Sequence, residues 1–298
     1  MHIHLGGDHG HLQSIELTQV NHHKVLPHLN KLISCNKPEH FQTINKIQIE
    51  NSSLNNSDYS ALENIINHCS ELFVVQLNSN HIDTLHAHEL LSTLTETHLK
   101  SLSFTDNWIG EKISKDFFDC MKNQQEMTSL DLSLNWLRDK GIITLVESLN
   151  PSLDKLNLSC NDFHYDGMLA ISHFVVNNPN LTELDISYNH LDAKSALPLA
   201  NIIKTSESIT SIKANSNQLG DEGSAIIADA LSQNLRSIEL DLSDNNISDK
   251  GVKRLLDCAG NNNVTIKLDL RHNPINKMGL GQMIQAKQGQ YPLMEVVF

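Results

Sequence analysis

Three sets of side chains carry whatever chemistry this sequence has. The first is its 17 histidines. His2, His4, His9 and His11 crowd the start, with His22, His23, His86 and His88 behind them. No HExxH and no Cys/His set at zinc spacing accompanies them. Beside Gly6 and Gly7 the terminal histidines are therefore expected to be solvated coil rather than metal ligands. The second set is five cysteines, Cys35, Cys69, Cys120, Cys160 and Cys258, an odd number with no CxxC. Free thiols in a reducing, cytoplasmic compartment are the simplest expectation, and nothing beside Cys160 marks an activated nucleophile. Ser, His and Asp recur at fixed slots and so do not imply convergence on one substrate. GxGxxG and Walker-type loops are absent from the sequence. No catalytic residue, cofactor or metal ligand is assigned.

The third set suits recognition rather than reaction. Asp131, Asp185, Asp241 and Asp269 occupy the same slot in four copies of one short pattern, with Asn157 and Lys213 in that slot between them, and Asp106 and Asp244 lie just beyond it. Such a column either solvates an exposed face or steers a basic partner. Trp108 and Trp136, the two tryptophans of the chain, also share a slot, one copy apart. Both are expected side by side on an exposed edge, with Leu134 adjacent and Tyr188 two copies on. Clustered exposed aromatics are what binding hot spots look like; the alternative is that the indoles cover each other and the loop stems.

The elements that must position these residues follow from a ladder of asparagines. Asn80, Asn107, Asn135, Asn161, Asn189, Asn217, Asn245 and Asn273 are spaced 27, 28, 26, 28, 28, 28 and 28 residues apart. Each ends a frame of the form Lxx[L/V/I]x[L/F/I/A]xxNx[L/I/F], as in LFVVQLNSNHI (72–82), MTSLDLSLNWL (127–137) and LTELDISYNHL (181–191). The alternation in the frame predicts a short strand with one face inward. The asparagine predicts a buried amide that satisfies loop backbone. Ten and fourteen residues later come apolar positions such as Leu90/Leu94, Ile171/Val175 and Ile227/Leu231, one stripe of a helix. Gly141, Gly167, Gly223, Gly251 and Gly279 sit six residues after the asparagine and are expected to let each helix start lie close against the strand layer. Strands stack about 4.8 Å apart and helices about 8–10 Å. An α/β array is therefore expected to curve, with parallel strands on the concave face and helices on the convex one.

A fixed period in this frame is the signature of leucine-rich repeats. The pattern resembles the ribonuclease-inhibitor-like subfamily over roughly residues 44–290, most closely in NQLGDEGSAIIADAL (217–231) and NNISDKGVKRLL (245–256). The resemblance implies a right-handed horseshoe superhelix of about nine repeats, continuous as one domain. Residues 1–43 are expected to hold a degenerate cap repeat (Leu12, Ile15, Leu17, then 25–33) and 291–298 a last half-repeat. Ser52 stands in the asparagine slot of the first full frame, and Lys287 breaks the last helix stripe. The terminal apolar strand is either tucked away or a pairing edge for a weak homodimer.

Composition narrows the function. A formal charge of −13, from 35 acidic and 22 basic residues, disfavours nucleic acid and anionic membranes and favours a basic protein. No apolar run is long enough to span a bilayer. The first residues, MHIHLGGDHGH, have no Sec-type character. Repeat arrays of this kind mostly grip other proteins with their exposed wall, so a non-enzymatic binding module is the primary expectation. The bias toward Asn, His, Ser, Ile and Lys is similar to leucine-rich effectors that intracellular bacterial pathogens place in the host cytosol to capture a host protein. The alternative is a GTPase activator resembling the Ran GTPase-activating proteins, to which Arg271 and polar loop residues could contribute. A fused ubiquitin-ligase domain, as some bacterial leucine-rich effectors carry, is not expected, since the repeat array runs almost to Phe298.

Overall fold

A computed structural model describes residues 2–6, 12–20, 22–35, 40–52, 54–110, 118, 120–259, 264–276 and 294–298. These fall into two compact units, one of residues 1–137 and 147–153, the other of 138–146 and 154–298. The expectations for Gly279 and Lys287, and those for His9 and His11, lie outside the described residues.

The first unit holds β1 (His2–Gly6), β2 (Ser14–Thr18), α1 (His22–Cys35), β3 (Lys46–Glu50), α2 (Asn56–Ile66), β4 (Val74–Gln76), α3 (Thr84–Thr93), β5 (Ser101–Ser103) and β6 (Ser129–Asp131). Strands β2 to β6 pair in chain order, each parallel to the next. In the second unit α4 (Arg138–Val146) is followed by β7 (Lys155–Asn157), α5 (Tyr165–Val176), β8 (Glu183–Asp185), α6 (Ala196–Thr205), β9 (Ser211–Lys213), α7 (Gly220–Leu231), β10 (Ile238–Asp241), α8 (Asp249–Ala259), β11 (Ile266–Asp269) and β12 (Met294–Val297). Strands β7 to β12 are again parallel neighbours in chain order.

Register follows the repeat. Leu102 pairs with Leu130, and Leu156 with Leu184, Ile212, Leu240 and Leu268 in succession. These central strand residues are buried, as are the helix-stripe residues Leu90, Leu145, Ile171, Leu199, Ile227 and Leu255. The core of each unit is thus a layer between one sheet face and one row of helices. Neighbouring helices pack side by side, α1 to α3 in the first unit and α4 to α8 in the second.

The asparagines bind successive repeats together. Asn189, almost fully buried, donates from Nδ2 to the Leu158 carbonyl of the preceding repeat at 3.2 Å and to Ile186 and Ser187 of its own at 3.1 and 3.0 Å. Its Oδ1 accepts from the backbone N–H of Asn161 at 2.9 Å and Phe163 at 3.4 Å. Asn80, Asn107, Asn217, Asn245 and Asn273 make the same backward Nδ2 contact. Ser52 serves as a shorter rung: its N–H donates to Asn80 Oδ1, and its Oγ accepts from Val20 N–H while donating to the Glu50 carbonyl.

One expectation needs correction and a second needs extending. Residues 2–6 are not coil but strand β1, antiparallel to β2, with His2 opposite Thr18 and Gly6 opposite Ser14. The alternating HIHLG sequence gives the free edge of β2 a partner, which an open strand edge otherwise lacks. The recurrent glycine also serves a different contact. A Cβ on Gly251 would lie 2.6 Å from Asp221 Oδ1 and 2.4 Å from Ser224 Oγ, and one on Gly167 would lie 3.0 Å from Asp139 Oδ1. At Gly251 and Gly167 an aspartate of the preceding repeat takes part of that space, beside Ile247 and Phe163 of the adjoining loop, whereas a Cβ on Gly223 would meet Leu219, Ala196 and Ala193. Asp221 accepts from Ser248 N–H, Ser248 Oγ and Gly251 N–H at 2.8, 2.7 and 3.1 Å. Asp139 accepts from His164 and Gly167 N–H at 2.9 and 2.7 Å. Each carboxylate therefore caps the next repeat's helix, where the N-terminal N–H groups lack intrahelical partners.

Truncating one rung, Asn189→Ala, strands several buried groups and should lower stability by about 1–3 kcal/mol, seen as a lower urea midpoint at unchanged slope. Burial of Asp221 would raise its carboxyl pKa, but hydrogen bonds from Ser248 and Gly251, with Lys250 nearby, outweigh it and hold the carboxyl below the ordinary range. Its contribution is therefore complete above the unfolded value of about 3.9 and is lost as pH falls through the lower folded value. Stability of Asp221→Asn should fall less steeply than wild type as pH is lowered below about 4; an equally steep acid limb would rule out this carboxylate as a contributor.

Candidate functional site

Surface residues in each unit are placed by an unusual backbone feature. The residue just before each ladder asparagine is left-handed: Ser79, Asp106, Leu134, Cys160, Tyr188, Ser216, Asp244 and His272 have φ between 52 and 60°. None is glycine, although this region costs an ordinary residue about 1–2 kcal/mol. Inter-repeat hydrogen bonds hold it: Asp106 N–H donates to Ser133 O at 3.0 Å, and Tyr188 N–H to Asn215 O at 2.9 Å. The turn buries the asparagine and sends its predecessor outward. Leu134 is 46% exposed and Tyr188 59%.

In the first unit this edge carries Asp106, Trp108, Leu134 and Trp136. The indoles of Trp108 and Trp136 are 62% and 61% exposed. They do not stack on one another. Trp108 lies on His81 of the preceding repeat, with ring centroids 4.6 Å apart and planes 26° apart. Its backbone pairs with the preceding loop, donating to Ile82 O at 2.9 Å, whereas Trp136 is left-handed with φ 57°. The shared slot therefore gives two separate aromatic faces. Tyr188 belongs to the second unit.

The aspartate column has a structural duty that the sequence analysis missed. Asp131, Asp185 and Asp241 each accept at Oδ1 from the N–H and Oγ of the serine two residues on, at 2.6–3.1 Å. This closes the turn off the strand. The recurring Asp-x-Ser in LDLS and LDIS was the available signal. Asp185 also lies 3.6 Å from Lys213 Nζ. Asp269 replaces serine with Arg271, whose guanidinium Nε lies 3.0 Å from both carboxylate oxygens. Burial would raise the Asp269 carboxyl, but this guanidinium holds it below the usual range. Arg271 is thus occupied by its own strand's carboxylate.

Sequence reasoning also missed the column two residues earlier, where lysine and glutamate pair on two neighbouring strand pairs: Lys155 meets Glu183 at 2.7 Å and Lys267 meets Glu295 at 3.8 Å. On β9–β12 these side chains line a groove of about 310 Å³ that includes Lys213, Glu239, Asp241, Lys267, Asp269 and Arg271. At the loop edge of the same unit, Asp162 receives Arg138 Nε at 3.1 Å and His190 Nε2 at 2.8 Å, and the His164 and His190 rings stack at 5.2 Å. No group of three or more His, Cys, Asp or Glu among the described residues could hold a metal ion. Burial, then the Asp185 carboxylate, pushes the Cys160 thiol above its ordinary pKa, and burial takes Cys69 to about 12. Neither is an activated nucleophile. Among the described residues no helix is long and apolar enough to cross a membrane.

The turn role and the charge of the aspartates separate by substitution. Asp241→Asn keeps an acceptor for Ser243 and should leave stability nearly unchanged, whereas Asp241→Ala should lose about 1–2 kcal/mol. Equal midpoints for the two variants in urea would show that the carboxylate does not hold the turn.

The family comparison agrees with this architecture. The Leucine Rich repeat family model matches residues 95–113, 124–146, 149–172, 177–200 and 234–256. No curated protein matches the chain. Among solved structures the chain is similar to leiomodin-1 actin-binding site 2, at 17% identity over 50% of this chain and 89% of that one, with a TM-score of 0.40. With the strand–helix period, the parallel register and the asparagine rungs, the chain is a leucine-rich repeat protein.

Proposed function

We propose that this leucine-rich repeat protein is a non-enzymatic recognition module that grips a protein partner with its sheet face and the adjoining loop edge. One observation carries the reading: two tryptophans, each more than 60% exposed, stand one repeat apart on the loop edge of a regular strand array. Exposed tryptophans on a fixed frame bury large area at little entropic cost on binding, which is how anchors work. Leu134 extends that apolar edge, with Asp106 and Asp131 of the same unit beside it in sequence. In the second unit Tyr188, Asp185, Asp241 and Asp269 offer one exposed aromatic and a carboxylate column. Because their Oδ1 atoms serve turns and some Oδ2 atoms meet cations, these aspartates act on partner choice and association rate more than on affinity.

The 28-residue spacing and the regular helices support a ribonuclease-inhibitor-like array. The compositional bias toward Asn, His, Ser, Ile and Lys supports an effector whose partner is a host protein. Nothing favours the GTPase-activator alternative, and the engagement of Arg271 by Asp269 speaks against a mobile arginine supplied to another active site.

Affinity capture from a eukaryotic lysate, followed by affinity measurement with the purified captured protein, tests the reading. Trp108→Ala/Trp136→Ala should weaken binding by roughly 30-fold or more, while its circular dichroism stays that of wild type. An unchanged affinity would make the indoles structural only. The association rate should fall as salt is raised.

A further inference from the structure

The Trp108–Trp136 edge restricts the kind of chain it can receive. The backbone donors beside it are already used: Asp106 N–H binds Ser133 O, Trp108 N–H binds Ile82 O, and Gly110 N–H binds Asn135 O, each at 2.9–3.0 Å. An added β-strand would need those groups unpaired. What the edge still offers is side-chain chemistry. Two indole faces are open, and Trp108 is held from behind by His81. Neither indole N–H donates to any described residue. The Asp106 carboxylate is exposed and has no partner among the described residues. A helical ligand satisfies its own carbonyls along most of its length and leaves the indole donors unused. A polyproline II segment has no internal hydrogen bonds, presents every carbonyl, and is ordered before it binds.

We propose that this edge is a docking site for a proline-rich segment in the polyproline II conformation, bearing a basic residue that pairs with Asp106. The proposal rests on the binding-module reading above and names its partner class. Proline rings lie on the indole faces, the two indole N–H groups donate to carbonyls of the segment, and the basic side chain meets the Asp106 carboxylate. At about 3.1 Å per residue, six residues extend about 19 Å, enough to reach from one rung's indole to the next. Charge complementarity selects arginine or lysine over an acidic flank.

Because the chain has two tryptophans and both lie at this site, intrinsic fluorescence and the two indole N–H resonances report on it directly. The probes are decaproline with an N-terminal arginine, the same peptide with glutamate in place of arginine, an arginine-tagged Gly/Ser peptide of equal length, and an arginine-tagged amphipathic helical peptide. The arginine decaproline should give a saturable shift of both indole resonances and bind roughly three- to fivefold tighter than the glutamate form at low salt. Asp106→Asn should abolish that preference. Trp136→Phe, which keeps a ring and removes the donor, should weaken binding roughly fivefold. No saturable shift, equal binding of the Gly/Ser peptide, or preference for the helical peptide would overturn the proposal. If the peptides fail while lysate capture still depends on both tryptophans, this partner class falls and the binding-module reading stands. If capture is also indifferent to the tryptophans, both fall.

Discussion

The stacking of these repeats depends on a recurring side-chain amide, buried at most rungs and replaced by a hydroxyl at Ser52. Strands β4 to β9 are three residues long, too short to satisfy the backbone of the loops that leave them. At Asn80, Asn107, Asn189, Asn217, Asn245 and Asn273 the ladder amide works in both directions, donating backward to the preceding strand end and accepting from the preceding loop, whereas Asn135 donates backward but its Oδ1 has no hydrogen-bond partner among the described residues. A polar group without a partner in such a site would be costly, so each rung requires the next. This is a nearest-neighbour design, in which each unit is stabilised by contact with its flanks. Ser52 shows the limit of substitution: a hydroxyl can bridge to Val20 N–H and Glu50 O, but the bond to Val20 is long at 3.3 Å.

The amide has a geometric consequence at the surface. Turning it inward requires the preceding residue to be left-handed, and the strain is tolerated by non-glycine residues because inter-repeat hydrogen bonds over-determine the loop. The outward residue is then free of packing constraints. At some rungs it is small or polar, at others Leu134 or Tyr188. The rung after it is equally permissive, which is where Trp108 and Trp136 reside. Recognition chemistry is thus confined to positions that the scaffold does not need.

Charge on the sheet face is more constrained than its formal count suggests. The aspartates of β6, β8 and β10 close their own turns, and Asp269 is held by Arg271. The flanking column pairs lysine with glutamate across neighbouring strands. Asp139 and Asp221 work at the opposite end of the loop, capping the next repeat's helix. Much of the −13 net charge is therefore built into local structure, while Asp106 and Asp244, in the same slot of their repeats, have carboxylates that no described residue engages.

The sequence by itself determined the period, the strand and helix faces, the burial of the asparagines and the exposure of both tryptophans. All four are fixed by spacing within one repeat, where side-chain direction follows directly from local geometry. Contacts between repeats were decided only by tertiary structure. That Asp221 serves Gly251 thirty residues away, that Trp108 stacks on His81 rather than on Trp136, that Lys267 meets Glu295, and that HIHLG pairs antiparallel to β2 all depend on which atoms stacking brings within a few ångströms. A repeat's own pattern is indifferent to those choices, since several partners at the same slot satisfy it equally well.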